Sequence, residues 1–455
     1  IFASLAIPLA FDTRTTAAMW AVEGVGLLWL GVRQGRRLPR AFGALLQIVG
    51  GIGFLAGLYR FGETQPVLNT VYLGALMLAV SGFLSSYWWR RNREQQAAYE
   101  AGAEIVFAIW ALAWWLFGGL REIDRHLPEA VMGGTLIYIA ATAALLAFIG
   151  MRKRWPLPQT IGLYLPALGA LFCLSYAAHV KHPFAEWGES GWLLLFAVQY
   201  GLLFLLDAGR LEAHRLGERA LHAGAVWALA LIGAWEISWQ VEYHTSGVWP
   251  MLSWGLVPAL LLALTGRKQL LPRWPLARMP STYRMLAAIP LVIAVSAWIV
   301  FMNLTTLGNP GWLPYVPLLN PLDVSVALSL AAIGLWWTSL DEKQRHAIWH
   351  DERGPIAVIA ALAFLWLNAA LIRALHHNFG APGTLIGLAQ STLVQASLSI
   401  FWGLLGFTAM TIAARQMWRH VWIIGAALMI VVVAKLFIVD LSSIGTVARS
   451  ASCLT

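Results

Sequence analysis

The stretch VLNTVYLGALMLAVSGFLSSYWW, Val67 to Trp89, runs for 23 positions without a charged residue. At 1.5 Å per residue it forms a helix of ~34 Å, enough to cross the ~30 Å hydrocarbon core of a bilayer. Comparable runs of about 17 to 23 residues recur along the chain. Only helices and closed barrels satisfy their backbone in lipid, and these runs lack the period-2 alternation of barrel strands. Of 455 residues 59% are hydrophobic and 12% charged, with a mean hydropathy of +0.67. A soluble domain carries roughly a quarter charged residues. The sequence therefore reads as all-α, a polytopic transmembrane helical protein.

About 15 spans are expected, centred on 1–11, 15–32, 42–59, 67–89, 103–119, 130–150, 160–178, 190–206, 220–240, 248–265, 284–303, 322–339, 354–372, 389–412 and 419–439. Alternate loops, at 33–40, 90–93, 151–154, 207–219, 266–284, 341–353 and 413–420, hold 23 of the 31 Lys and Arg. Such concentration marks the cytoplasmic side, so Arg36, Arg91, Lys153 and Lys268 are expected there. The opposite face carries 8 basic and 12 acidic residues. The net charge of +9 is thus a topology signal spread over short clusters, and nucleic acid is excluded as a partner. Polar clusters recur on the outer face every 60 to 70 residues, from Arg60–Glu63 through Arg121–His126, His179–His182, Glu242–His244 and Asn303–Asn309 to Arg373–His377. That spacing suggests tandem two-helix hairpin units within a single transmembrane domain, 1–455. The chain opens at Ile1 inside an apolar run and is expected to be a fragment.

Charged groups inside spans are expensive and point to function. Glu23 sits about eight residues, or ~12 Å, from the outer start of its span. Glu236, Arg373 and Lys435 also fall in the outer half, so the four are expected to line one polar cavity open to the outside. The alternative is structural: Glu23 tied to Lys435 or Arg373, with Lys435 reaching toward Asp440. In R-A-L-H-H, Arg373 shares a helix face with His376 and His377. A guanidinium beside imidazoles can grip an anionic head group and exchange a proton, with Glu236 or Glu23 opposite, or it can anchor at lipid phosphate. Six of the 11 histidines, His126, His179, His182, His244, His376 and His377, lie on the outer face. Their spacing matches no metal signature, so no metal is expected.

The segment 303–323 is apolar yet broken by prolines at 310, 314, 317 and 321, which forbid a continuous helix. It is expected to be a re-entrant segment or lid, backed by protein or a water-filled cavity. Asn320 and Asp323 would stand at its mouth, or Asp323 would cap the next span. Cys173 and Cys453 form no disulfide framework, and phosphate-binding, nucleophile-elbow, dinucleotide and haem motifs are absent. No cofactor is expected.

Several of these pieces together resemble a known family. The run from Trp20 through Glu23-Gly24 to the Arg-rich loop is one, with N-P-L-D at 320–323, R-A-L-H-H at 373–377, Q-A-S-L-S-I-F-W at 395–402 and K-L-F-I-V-D-L-S at 435–442. They resemble the bacterial predicted membrane proteins grouped as domain of unknown function 2339. The resemblance implies a multi-pass protein of the bacterial inner (cytoplasmic) membrane. It also implies a preceding cytoplasmic part and one last apolar helix, neither of which this sequence contains. It brings no reaction and no catalytic residues.

Three functions compete. A transporter or translocation component, with a polar cavity open to the periplasmic side, fits the many spans, hairpin repeats and buried charge. An intramembrane enzyme acting on an envelope lipid or lipid-linked glycan at the outer leaflet fits the His, Glu and Arg gathered on one face. A structural subunit of an envelope complex is the third. Membrane lipids are the expected partners, with an anionic lipid or lipid-linked substrate for the outer site.

Overall fold

The computed structural model describes residues 13–58, 65–215, 217–267, 273–351 and 353–437, and among these there is no strand. Sixteen α-helices follow one another, and thirteen candidate spans are long and apolar enough to cross a membrane. They correspond to the second through fourteenth expected spans. The first, 1–11, lies outside the described residues, as do Arg60–Glu63, Lys268 and Asp440. The fifteenth is a helix of 17 residues, Arg419–Lys435.

Packing divides the chain into two compact units, residues 1–221 and 222–455. The first holds α1 (Thr13–Arg33), α2 (Arg37–Ala56), α3 (Thr70–Arg91), α4 (Ala103–His126), α5 (Val131–Arg152), α6 (Pro156–Ala177) and α7 (Gly188–Asp207). Here α1 packs on α2 and α3, α3 on α4, and α5 on α6 and α7. Phe54, Leu78 and Trp114 fill a core made thin by Ala17, Ala21 and Ala75. Small residues suit such a core, because in lipid helices associate by close packing rather than by hydrophobic expulsion.

After α8 (Glu218–His244), which starts at the division, the second unit holds α9 (Trp249–Gly266), α10 (Ala288–Thr305), α11 (Pro321–Ser339), α12 (Glu342–Ile348), α13 (Arg353–Phe379), α14 (Leu385–Gln390), α15 (Thr392–Gln416) and α16 (Arg419–Lys435). In it α9 packs on α10 and α11, α13 reaches both α10 and α11, and α15 pairs with α16. Leu262, Val295, Ile299, Val326, Ile333 and Trp336 form its main core.

The hairpin repeat has a geometric counterpart. At the basic turns of α1/α2, α5/α6 and α15/α16, one residue adopts positive φ: Gly35 at 67°, Arg154 at 50° and Met417 at 56°. The next amide then donates back five residues, Arg36 N to Gly31 O (2.9 Å), Trp155 N to Gly150 O (2.7 Å) and Trp418 N to Ala413 O (2.9 Å). This is the helix-ending motif that satisfies a last carbonyl. The returning helix crosses its partner at the same register each time. A Cβ at Gly24 would lie 2.6 Å from Gly43 O, one at Gly162 2.6 Å from Ala143 O, and one at Gly425 2.9 Å from Gly406 O. Each of these pairs is 19 residues apart, so the three hairpins share one construction.

Candidate functional site

The site lies in the second unit, where α10, α11 and α13 meet beneath the segment 306–320. Asn320 is the N-cap of α11, with Pro321 at the first helical position. Its side-chain oxygen accepts from Asp323 N at 3.0 Å, which satisfies an otherwise orphaned helix-start amide. Asp323 is thus the capped residue, and its own carboxylate is free to turn inward. It is fully buried. There it accepts from Arg373 Nη2 at 2.5 Å, from Trp366 Nε1 at 2.9 Å and from Asn320 Nδ2. Trp366 and Arg373 are seven residues apart, two turns along one face of α13.

Arg373 is 1% exposed. Its Nη2 also donates to Asn303 Oδ1 on α10 at 3.1 Å, while Nε and Nη1 make no hydrogen bond among the described residues. The Tyr315 hydroxyl, itself buried, lies beside Arg373 and Asn320 without an aligned bond. Burial pushes the Tyr315 phenol up to about 12; the Asp323 carboxylate adds to this and the Arg373 guanidinium opposes it. The phenol therefore stays neutral and remains a donor at any physiological pH.

The 306–320 segment is a roof of turns pinned at three places. His377 Nε2 donates to Leu307 O at 2.9 Å, Val248 N to Asn309 O at 3.0 Å, and Trp249 Nε1 to Pro310 O at 3.0 Å. Gly308, at φ +65°, passes so close over the guanidinium that a Cβ would sit 2.9 Å from Arg373 Cδ. The His377 ring stacks on Tyr315 with centroids 4.2 Å apart. His376 Nδ1 donates to Ala381 O at 2.6 Å, holding the turn that ends α13. A carbonyl can only accept, so these two ring nitrogens carry protons.

The expected site residues are therefore placed as follows. Arg373, His377, Asn320 and Asp323 gather under the roof, and His376 braces its edge. The ionic partner of Arg373 is Asp323. Glu236, 4% exposed, accepts from Gln240 on its own helix at 2.7 Å. Lys435 donates to Gln395 O at 2.5 Å and Ser399 Oγ at 2.7 Å on α15, a tie within its own hairpin. Glu23 is half-buried on α1 in the first unit, beside the Gly24 crossing.

Trp366 and Tyr315 are the site members that sequence reasoning missed. The seven-residue offset of Trp366 from Arg373 was the available signal. A second buried node lies at the basic end of the first unit, where the sequence shows only topology signals. Arg40 meets Glu100 at 2.8 Å, and Glu104 accepts from Arg93 Nη2 at 2.7 Å and Trp155 Nε1 at 2.8 Å.

A buried ion pair with an incomplete hydrogen-bond set is costly for a protein to keep. Here Arg373 Nε lies beneath Gly308 of the roof, so lifting the roof would offer the guanidinium to an anionic group. No curated protein and no solved structure matches the sequence. A family model described as a predicted membrane protein of unknown function matches residues 1–455, the family the sequence motifs resemble. The chain belongs to that family, DUF2339.

Proposed function

We propose that this protein is a transporter or translocation component that receives an anionic group, a carboxylate or phosphate, beneath the 306–320 roof. One observation carries the reading: Arg373, 1% exposed, holds Nε and Nη1 without hydrogen-bond partners among the described residues. Ligand oxygens would satisfy these donors with charge-assisted bonds, while Asp323 keeps the guanidinium oriented. In this reading the roofed state is the closed one, and the roof faces the periplasm because the basic loops stay in the cytoplasm of an inner-membrane protein. Impermeant thiol labelling of single cysteines at Arg91, Arg152 and Lys343 in whole cells should give no signal. Labelling at two of them from outside overturns this orientation.

The functional test uses purified full-length protein with inorganic phosphate, acetate and a water-soluble short-chain phosphatidate. At least one should raise the unfolding temperature, and Arg373→Lys, which keeps charge but loses the planar fork, should abolish the rise. Uptake of the stabilising anion into proteoliposomes supports transport. Binding without uptake overturns transport and favours the enzyme reading, for which His377 stacked on Tyr315 is the specific observation. No stabilisation by any of the three overturns both and leaves the network a structural lock.

A further inference from the structure

In the first unit a cavity of about 240 Å³ opens between α3, α4, α5 and α6, lined by Val80, Leu84, Leu112, Leu145, Leu146 and Ile149 among others. Its wall is almost wholly apolar. Trp115 and Thr142 also line it and bond to each other, Nε1 to Oγ1 at 3.0 Å, so the one polar spot is satisfied internally. From Thr142 to Arg152 along α5 is ten residues, ~15 Å of helix. That is half of the ~30 Å hydrocarbon core, the depth of one leaflet.

At the end near Arg152 the chemistry changes sign. Phe83 and Tyr87 on α3 pack against Trp155, at 5.0 and 5.6 Å between centroids, and form a collar. Beyond it stand Arg90, Arg91, Arg152, Lys153 and Arg154. Glu104 faces Arg90 and Arg93, and Arg90 also donates to Arg154 O at 2.9 Å. Arg91 donates to the Tyr87 hydroxyl at 3.3 Å. It forms no ion pair among the described residues, and neither do the exposed Arg152 and Lys153.

We propose that this crevice holds one acyl chain of an anionic phospholipid from the leaflet on the basic side, with the head group at Arg91, Arg152 and Lys153. The occupant is set by two matches: an apolar slot whose Thr142 floor lies ~15 Å of helix, the depth of one leaflet, from Arg152 at its mouth, and a cationic mouth whose charges Glu104 does not neutralise. A zwitterionic lipid fits the slot but gains little at the mouth. This site is independent of the Arg373 network.

The test reconstitutes the full chain in phosphatidylcholine vesicles carrying a small fraction of phosphatidylglycerol with a diazirine in its acyl chain. A matched phosphatidylcholine probe is used in parallel, and adducts are mapped by mass spectrometry. Phosphatidylglycerol should label Leu84, Leu145 or Ile149 in preference to the matched probe. The variant Arg91→Gln with Arg152→Gln, at exposed positions outside the packed core, should lower that preference by about fivefold per charge removed. Leu145→Trp, on the exposed rim, should block labelling while leaving the unfolding temperature unchanged. Equal labelling by both probes in the unmodified protein, or labelling indifferent to Leu145→Trp, overturns the proposal.

Discussion

Arg373→Ala is expected to destabilise the protein by about 3–5 kcal/mol, read as a large fall in the unfolding temperature of the detergent-solubilised chain. Breaking a buried pair by removing one partner leaves the other charge uncompensated. Asp323 would then sit fully buried, with Trp366 Nε1 and Asn320 Nδ2 as its remaining donors. Asp323→Asn should fall in the same range, since it keeps the shape but strands the guanidinium, whose Nε and Nη1 already have no partner among the described residues. Arg373→Met combined with Asp323→Leu removes both charges and should recover most of the loss. Recovery stops short because Trp366 and Asn320 lose their acceptor, at about 1–3 kcal/mol for each buried donor left unsatisfied. If the double variant is as unstable as the worse single one, the ion pair is not the source of the effect.

The lesson for sequence reading lies in the contrast between this pair and the spans that carry it. Hydrocarbon forces every span to announce itself, so the apolar runs around Val67–Trp89 and its counterparts place thirteen described helices. The irregular course of 306–320 was legible for a related reason: its prolines forbid a continuous helix, and the structure shows turns there. The pairing was not. Arg373 and Asp323 are 50 residues apart, and no local rule assigns a buried arginine to one carboxylate rather than to Glu236 or Glu23. What selects Asp323 is a tertiary fact. Asn320 takes over the cap, and the freed carboxylate lands opposite the Arg373 face of α13. Lys435 shows the same limit, since its acceptors are a backbone carbonyl and a serine, groups too common to be singled out in a sequence.

The hairpin crossings set the second large effect. Gly24→Ala should destabilise the protein by about 1–3 kcal/mol, because a tightly packed contact accepts no extra methyl without backbone movement. The added Cβ would stand 2.6 Å from Gly43 O and 2.9 Å from Gln47 Cγ. Gln47 cannot retreat freely, for its Nε2 donates to Ser85 Oγ on α3 at 2.8 Å in a fully buried position. Gly26→Ala, two residues on, has nothing within 4 Å, and should be neutral or stabilising by up to ~1 kcal/mol from helix propensity. The opposite signs of two identical substitutions on one helix separate packing from propensity. Corresponding positions should follow their clearances. Gly162→Ala, 2.6 Å from Ala143 O, should match Gly24→Ala, whereas Gly425→Ala should cost somewhat less, since its backbone contact, Gly406 O, stands further off at 2.9 Å and its other close neighbour is the flexible Met410 side chain at 2.8 Å. Unfolding temperatures of the four variants in one detergent test this order. If Gly24→Ala is as benign as Gly26→Ala, the helices of the first hairpin do not cross at backbone contact, and the shared register of the three hairpins loses its physical basis.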